Sequence, residues 1–257
     1  MRKFLFLIVI LAISLAFASH VHSHSIVPVV AKVKTAVVGV GIYDAMGAQT
    51  HQLTGTGFAF GDGSLIATNY HVVSKDFDPQ KVQYHIVFSG TGRQPIIHKA
   101  QIIAKDREHD LAILKINSNL PTVTLAGQEY ADDGTEVLLT GFPLGAVLGL
   151  YPATHRGIIA ATTPDVIPSA HSSQLSINVL KRLEGKFMIY QLDITAYPGN
   201  SGSPLYNAES GEVLGILNKV FVKESKETIL EKPSGISYAI PVKYLIQLAK
   251  RKGLKIE

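Results

Sequence analysis

The segment AYPGNSGSPLYN, residues 196–207, places one serine between two glycines and continues into a short apolar run. Glycine adopts backbone angles that other residues avoid, so Gly199 and Gly202 predict a tight bend around Ser201. Pro198 restricts the backbone where the bend begins. Such a bend exposes a hydroxyl and its neighbouring backbone amides at the edge of a core, as an ordinary turn or as a reactive site.

Outside this bend, most of the chain consists of short apolar runs separated by turns, which is typical of β-strands. A polar connector at residues 117–134 divides these runs into two sets, and an amphipathic helical pattern follows at residues 242–252. A parallel α/β fold needs a helix after most strands, and the sequence has none there. We therefore predict an all-β protein of two antiparallel six-stranded β-barrels with a C-terminal helix. The predicted strands are residues 37–43, 55–60, 65–70, 82–88, 101–104, 111–116, 136–140, 157–162, 188–194, 212–217 and 236–240.

The N-terminus has the pattern of a secretory signal peptide. Arg2 and Lys3 precede an apolar run at residues 4–17, and small residues mark a cleavage site at residue 18. Because the run is short for a bilayer span, we expect cleavage, a secreted or periplasmic location and no stable membrane insertion afterwards. The predicted organisation is a signal peptide at 1–18, a flexible segment at 19–35, and barrels at 36–120 and 121–257, the second including the helix.

The composition limits the classes of protein to which this chain can belong. Hydrophobic residues make up 46% of the chain and charged residues 17%, which is typical of a globular protein. Residues 1–18 contain two basic and no acidic residues, so their removal lowers the formal charge from +4 to about +2 and leaves no electrostatic case for binding nucleic acid. The absence of cysteine excludes disulfide scaffolds, thiol catalysis and cysteine-based zinc sites.

Chain order limits the partners that could activate Ser201. A serine hydroxyl is a weak nucleophile unless a histidine takes its proton and a carboxylate orients that histidine. No histidine follows Ser201, which excludes the order Ser-Asp-His. His71 comes at the end of one predicted strand, directly after residue 70, and Asp110 directly precedes another, whereas Asp106 is followed by polar residues. The order His71-Asp110-Ser201 remains, with the backbone amides of Gly199 and Ser201 as a candidate oxyanion hole.

Three segments resemble, in order, the catalytic blocks of a trypsin-like serine endopeptidase of the chymotrypsin-fold superfamily: GTGFAFGDGSLIATNYHVV (55–73), HDLAILKI (109–116) and YPGNSGSPLYN (197–207). The chain is most similar to the HtrA/Deg protease domain, also through GFPLGAVLGLYPATHRGIIAAT (141–162) and GISYAIPVKYLIQLAK (235–250). The resemblance covers roughly residues 30–250. It implies that His71 is the general base, Asp110 its orienting carboxylate and Ser201 the nucleophile. It also implies protein or peptide substrates, no cofactor and no metal, and it is compatible with a homo-oligomer.

The same matching implies the pocket for the substrate side chain before the cleaved bond, the P1 residue. Thr195 would lie at its base, with Leu217 and Val220 on its walls. With no carboxylate at the base, the resemblance implies a preference for small or medium apolar P1 residues. Glutamyl endopeptidases share the GNSGSP segment but have a histidine where this chain has Leu217, so glutamate specificity is not expected.

Other interpretations stay open. The chain could be a catalytically silent protease fold that binds or chaperones proteins, or a narrow processing protease related to glutamyl endopeptidases. HtrA proteins usually carry a PDZ domain after the protease domain, and this sequence ends at Glu257, so gating by such a domain is not expected. Residues 163–187 form an insertion, with a short helix predicted at 175–183, that would serve as an activation loop or lid. His20, His22 and His24 form either a metal-binding cluster or a solvated tail.

Overall fold

The computed structural model describes residues 25–143, 149–165, 187–220 and 235–256. The signal peptide, the three alternating histidines and the helix predicted at 175–183 lie outside the described residues, as does most of the insertion at 163–187. Within the described ranges no helix is long and apolar enough to cross a membrane.

The first barrel contains six antiparallel strands that close on themselves in the order β1-β2-β3-β6-β5-β4. A tight turn joins β2 to β3, where the Asp62 carboxylate accepts hydrogen bonds from the backbone and the hydroxyl of Ser64. Alternate side chains point into the barrel, where residues such as Val40, Ile66 and Leu114 are fully buried. The strands are β1 (Val37–Asp44), β2 (His51–Phe60), β3 (Leu65–Asn69), β4 (Gln83–Ser89), β5 (Ile96–Asp106) and β6 (Leu111–Ile116).

The second barrel repeats this design with six antiparallel strands in the closed order β10-β11-β12-β9-β8-β7. Its interior is lined by residues such as Leu139, Leu192 and Leu205, which are inaccessible to solvent. The strands are β7 (Glu136–Gly141), β8 (Ala153–Pro164), β9 (Met188–Asp193), β10 (Pro204–Asn207), β11 (Val213–Val220) and β12 (Ile236–Pro241). The predicted fold class, two antiparallel six-stranded β-barrels, is confirmed.

Helix α2 (Val242–Arg251) ends the second barrel, as predicted, and packs with both barrels into a shared core. That core joins Phe58 and Phe60 of the first barrel to Leu138 and Tyr206 of the second. Continuous burial between the barrels fixes how the loops at their junction face each other.

Two local features differ from the sequence expectations. Residues 19–35 were expected to be loose, but helix α1 (Val27–Lys34) occupies part of this segment. Pro28 suits the first turn of the helix, and Val33 is 2% exposed against the core, so tertiary packing stabilises a helix too short to be stable alone. Strand β10 is absent from the predicted strands because it has only four residues and begins at a proline.

Candidate active site

His71 and Asp110 meet at the end of the first barrel that faces the second. His71 begins a short 3-10 turn (His71–Val73) after β3, and Asp110 directly precedes β6, the strand paired with β3. The His71 Nδ1 atom lies 2.6 Å from Asp110 Oδ2, and the His71 backbone N–H donates to Asp110 Oδ1 at 2.8 Å. The imidazole remains 47% exposed, so one edge is held by the carboxylate and the other is open.

Asp110 occupies an unusual backbone conformation with a φ of +50°, which is rare for residues other than glycine. Its carbonyl accepts hydrogen bonds from the Tyr70 backbone N–H at 3.0 Å and from the Asn69 side-chain amide at 3.2 Å. These contacts from the end of β3 hold the turn, and they explain how a strained residue is kept beside His71.

Asn218 is a further site residue that sequence reasoning missed. Its side-chain N–H donates to Asp110 Oδ2 at 2.6 Å, and its backbone carbonyl lies 3.3 Å from the Ser201 hydroxyl. Asn218 lies on β11 of the second barrel and therefore links the carboxylate of one barrel to the serine of the other. Its position directly after Leu217, a residue already assigned to the site, was the only signal in the sequence.

Ser201 lies in the predicted bend, half-buried between Gly199 at a φ of +98° and Gly202 at +87°. Its hydroxyl donates to the Asn218 carbonyl at 3.3 Å, which is a long hydrogen bond. Within the described residues no hydrogen bond joins it to His71. The structure thus brings His71, Asp110 and Ser201 to the same junction through Asn218.

Two backbone N–H groups of the bend have no acceptor within the described part of the chain. Asn200 donates to the Tyr197 carbonyl at 3.0 Å, and Gly202 donates to the Leu217 carbonyl at 2.9 Å. Among the described residues no backbone or side-chain atom accepts from the amides of Gly199 and Ser201. These two amides form the predicted oxyanion hole, and no described atom competes for their hydrogens.

The structure places the three residues expected around the P1 pocket on or just after strands β9 and β11. Thr195 follows β9 and is half-buried. Leu217 is 1% exposed and packs in the core of the second barrel with Ala196 and Leu205. Val220 is the last residue of β11.

Asp106, the competing carboxylate, is engaged elsewhere. It accepts hydrogen bonds from His109 Nδ1 at 3.0 Å and from Arg251 of α2 at 2.6 Å. Burial alone would raise its pKa, but the hydrogen bonds from His109 and Arg251 outweigh burial and lower it. Asp106 therefore joins the first barrel to α2, and Asp110 holds His71.

A small group of buried polar atoms lies behind the bend. Asn200 and Ser203 are fully buried, and their side-chain polar atoms have no hydrogen-bond partner among the described residues. Both face Gly141, where a Cβ atom would lie 2.0 Å from Ser203 Oγ and 2.9 Å from Asn200 Oδ1. Within the same described ranges, no group of three or more histidine, aspartate or glutamate side chains is arranged to hold a metal ion.

Two closed antiparallel barrels, with a histidine–aspartate pair on one and a serine bend on the other, define the class of trypsin-like peptidases. A family model described as the trypsin-like peptidase domain matches residues 55–216. The chain belongs to this family.

Its relatives are HtrA-type proteases. A probable periplasmic serine endoprotease of the DegP-like type from Halomonas elongata is 31% identical over 208 residues, covering 79% of this chain and 36% of the relative. The Do-like serine protease HtrA of Lactococcus lactis is 30% identical over 195 residues, covering 74% of this chain and 42% of the relative. The chain thus spans about a third of the length of the first of these relatives.

Solved structures agree with this relationship. The serine endoprotease from Yersinia pestis superimposes with a TM-score of 0.61 and 26% identity, covering 89% of this chain and 66% of that chain. The HtrA-type protease AlgW with a tripeptide gives a TM-score of 0.64 and 26% identity, covering 88% of this chain and 62% of that chain. The resemblance found in the sequence, to the HtrA-type protease domain, is confirmed.

Proposed function

We propose that this chain is a serine endopeptidase in which Ser201 is the nucleophile, His71 the general base and Asp110 the carboxylate that orients His71. The observation that carries the proposal is the Asp110 carboxylate, which contacts His71 through both of its oxygens, while Asn218 connects it to Ser201. Membership of the trypsin-like peptidase family and the names of the HtrA-type relatives support it.

The contacts at Asp110 determine the tautomer of His71. A carboxylate can only accept, so the proton on the imidazole lies on Nδ1, which faces Asp110 at 2.6 Å. The Nε2 atom then carries the lone pair and is the base. For catalysis the Ser201 hydroxyl must turn from the Asn218 carbonyl towards Nε2.

Peptide hydrolysis would then proceed in two steps, acylation of Ser201 and hydrolysis of the acyl-enzyme. Ser201 Oγ bonds to the substrate carbonyl carbon, its proton moves to His71 Nε2, and the negative charge on the carbonyl oxygen rests on the amides of Gly199 and Ser201. The carbon–nitrogen bond breaks as Nε2 returns the proton to the leaving amine. Water repeats the sequence on the acyl group and releases Ser201.

The substrates we propose are exposed or unfolded protein segments, bound with a small or medium apolar P1 side chain. Thr195 would form the base of the P1 pocket, and Leu217 and Val220 its walls. A pocket of this kind discriminates between substrates by about 1–3 kcal/mol per methylene, so a broad preference is expected. Cleavage of a peptide library with mass-spectrometric readout tests it, and a dominant acidic or basic P1 residue would contradict it.

We place the mature protein in the periplasm or outside the cell, because several relatives are named as periplasmic and the N-terminus has the signal-peptide pattern. Assembly as a homo-oligomer is part of the same proposal. N-terminal sequencing of the exported protein tests cleavage after residue 18, and light scattering on the purified protein tests the assembly.

A second candidate function is favoured by one observation. The Ser201 hydroxyl donates to Asn218 and not to His71, which is the arrangement expected if the bend rests in an inactive shape and the protein only binds polypeptides. This candidate predicts a folded protein that binds unfolded chains and does not react with a fluorophosphonate.

Fluorophosphonate labelling distinguishes the two functions, because the reagent needs both an activated serine and an oxyanion hole. The test compares the mature chain with Ser201→Ala and His71→Ala by intact mass. One adduct on the wild type, and none on Ser201→Ala, supports the endopeptidase. No adduct on a folded wild type would overturn it in favour of the binding protein.

A further inference from the structure

Thr56 belongs to β2 of the first barrel, yet its contacts reach the serine bend of the second barrel. Its backbone N–H donates to the Ser201 carbonyl at 2.8 Å, and its hydroxyl donates to the Gly199 carbonyl at 2.7 Å. The same hydroxyl accepts from the backbone N–H of Phe142 at 3.1 Å. One fully buried residue therefore holds both residues whose amides would form the oxyanion hole.

We propose that Thr56 is a positioning residue for the oxyanion hole, acting through its hydroxyl from the opposite barrel. The proposal rests on the proposed function, because it concerns the geometry of the Gly199 and Ser201 amides. Thr56 touches neither the substrate nor the reacting atoms in this scheme. It fixes the peptide planes that follow Gly199 and Ser201, and these planes contain the Cα atoms to which the two amides are attached.

The bend needs such an external constraint because of its glycine. Gly199 has a φ of +98° and no side chain, so local sterics leave several conformations open to it. A preorganised hole requires a single one, since donors must already point at the developing charge when the reaction starts. Among the described residues, the Thr56 hydroxyl is the side-chain donor to the Gly199 carbonyl.

The direction of the hydrogen bonds follows from the chemistry of the groups. A backbone N–H can only donate, so Phe142 uses a lone pair of the Thr56 oxygen. The single hydroxyl proton is then left for the Gly199 carbonyl. A hydroxyl at this position can satisfy both partners, whereas a methyl group can satisfy neither.

Thr56 is itself held firmly. The Thr68 hydroxyl donates to the Thr56 carbonyl at 2.7 Å, and both threonines are inaccessible to solvent. The serine bend also packs tightly against Thr56, since a Cβ atom on Gly202 would lie 2.1 Å from the Thr56 carbonyl oxygen. A buried and fully restrained donor transmits the relative placement of the two barrels to the bend.

The test compares Thr56→Val, which removes the hydroxyl at similar volume, with Thr56→Ser, which keeps it. Thr54→Val is the matched control, because Thr54 lies on the same strand and its hydroxyl donates to the Val40 carbonyl, away from the bend. For each variant we would measure kcat and KM on a peptide substrate, and the affinity for a peptide boronate that mimics the tetrahedral intermediate.

We expect Thr56→Val to lower kcat and boronate affinity together by about 10- to 100-fold with little change in KM, since an oxyanion donor acts mainly in the transition state. In Thr56→Ser, kcat and boronate affinity should stay within about 3-fold of the wild-type values, and in Thr54→Val they should equal the wild-type values. A loss confined to KM, a normal kcat in Thr56→Val, or an equal loss in Thr56→Ser would overturn the proposal.

Two further readouts keep the result decisive. If circular dichroism shows that Thr56→Val does not fold, Thr68→Val replaces it in the test. That change removes only the hydrogen bond that the Thr68 hydroxyl donates to the Thr56 carbonyl. A lower kcat at constant KM in Thr68→Val then supports the proposal, and an unchanged kcat overturns it. Fluorophosphonate labelling of the wild type separates failure of the proposed function, which gives no adduct, from failure of the Thr56 proposal, which leaves the wild type reactive.

Discussion

Replacing Gly202 by alanine tests whether the serine bend has any room to move. Gly202 has a φ of +87°, and a Cβ atom there would lie 2.1 Å from the Thr56 carbonyl oxygen and 2.5 Å from Thr68 Oγ1. The nearer atom belongs to the backbone of a buried strand, so it cannot turn away as a long side chain would. The bend must move by about 0.9 Å to restore a separation of about 3.0 Å.

The cost has two separable parts. Placing a side chain in the left-handed region costs roughly 1–2 kcal/mol wherever it occurs. A displacement of about 1 Å next to the reacting serine costs on the order of 100-fold in rate. Gly134→Ala is the matched control, because Gly134 has a φ of +88° and open space around the position of a Cβ atom.

The assay is kcat/KM on a peptide ester together with urea unfolding of both variants. We expect Gly134→Ala to lose about 1–2 kcal/mol of stability from backbone strain, and Gly202→Ala to lose roughly 1–3 kcal/mol more, because its Cβ atom overpacks a buried contact. Only Gly202→Ala should lose roughly 100-fold in kcat/KM. If Gly202→Ala were as active as Gly134→Ala, the bend would be pliable and the reasoning about its rigid contacts with Thr56 and Thr68 would be refuted.

Three further predictions concern other parts of the molecule. Asn218→Ala removes the N–H that donates to the Asp110 carboxylate, and a hydrogen bond to a charged group contributes about 1.5–3 kcal/mol. Single-turnover measurements should therefore show a kcat/KM about 10-fold lower, and an unchanged kcat/KM would contradict this role. Burial lowers the pKa of His85 from 6.5 to about 4, so the stability that its neutral form contributes is complete above pH 6.5 and is lost as the pH falls towards 4. Between about pH 7.5 and pH 5, the free energy of unfolding in urea should fall by about 1–2 kcal/mol more in the wild type than in His85→Gln. Equal losses of stability in the two proteins would argue against a neutral buried imidazole. Gly141→Ala should destabilise the protein because the new Cβ atom would lie 2.0 Å from Ser203 Oγ. In a double-mutant cycle, adding Ser203→Gly should recover part of the lost stability. Purely additive changes in stability would contradict the contact between residues 141 and 203.

The amino-acid order was sufficient for the architecture because strand formation depends on neighbouring residues. Short apolar runs separated by turn residues predicted strands in both barrels, and an amphipathic pattern predicted α2. The exceptions are short. Strand β10 has four residues, and α1 depends on Val33 packing against the core, so neither carries a sufficient local pattern.

The candidate site divides in the same way. His71, Asp110 and Ser201 were named from their order in the chain and from the type of segment around each. Asn218 and Thr56 were not, because their hydrogen bonds join residues 108 and 143 positions apart in the chain. Apart from the position of Asn218 next to Leu217, the neighbouring residues do not distinguish them from an ordinary asparagine and threonine.

The residue types and spacings thus specify two barrels, the bend and the chemical groups that meet between them. Only the packed chain decides that the Ser201 hydroxyl turns towards Asn218, that the amides of Gly199 and Ser201 have no acceptor among the described residues, and that Thr56 holds their carbonyls. The reason is physical: backbone propensity and hydrophobic pattern act over a few residues, whereas the direction of a hydrogen bond between two barrels depends on how their common core packs.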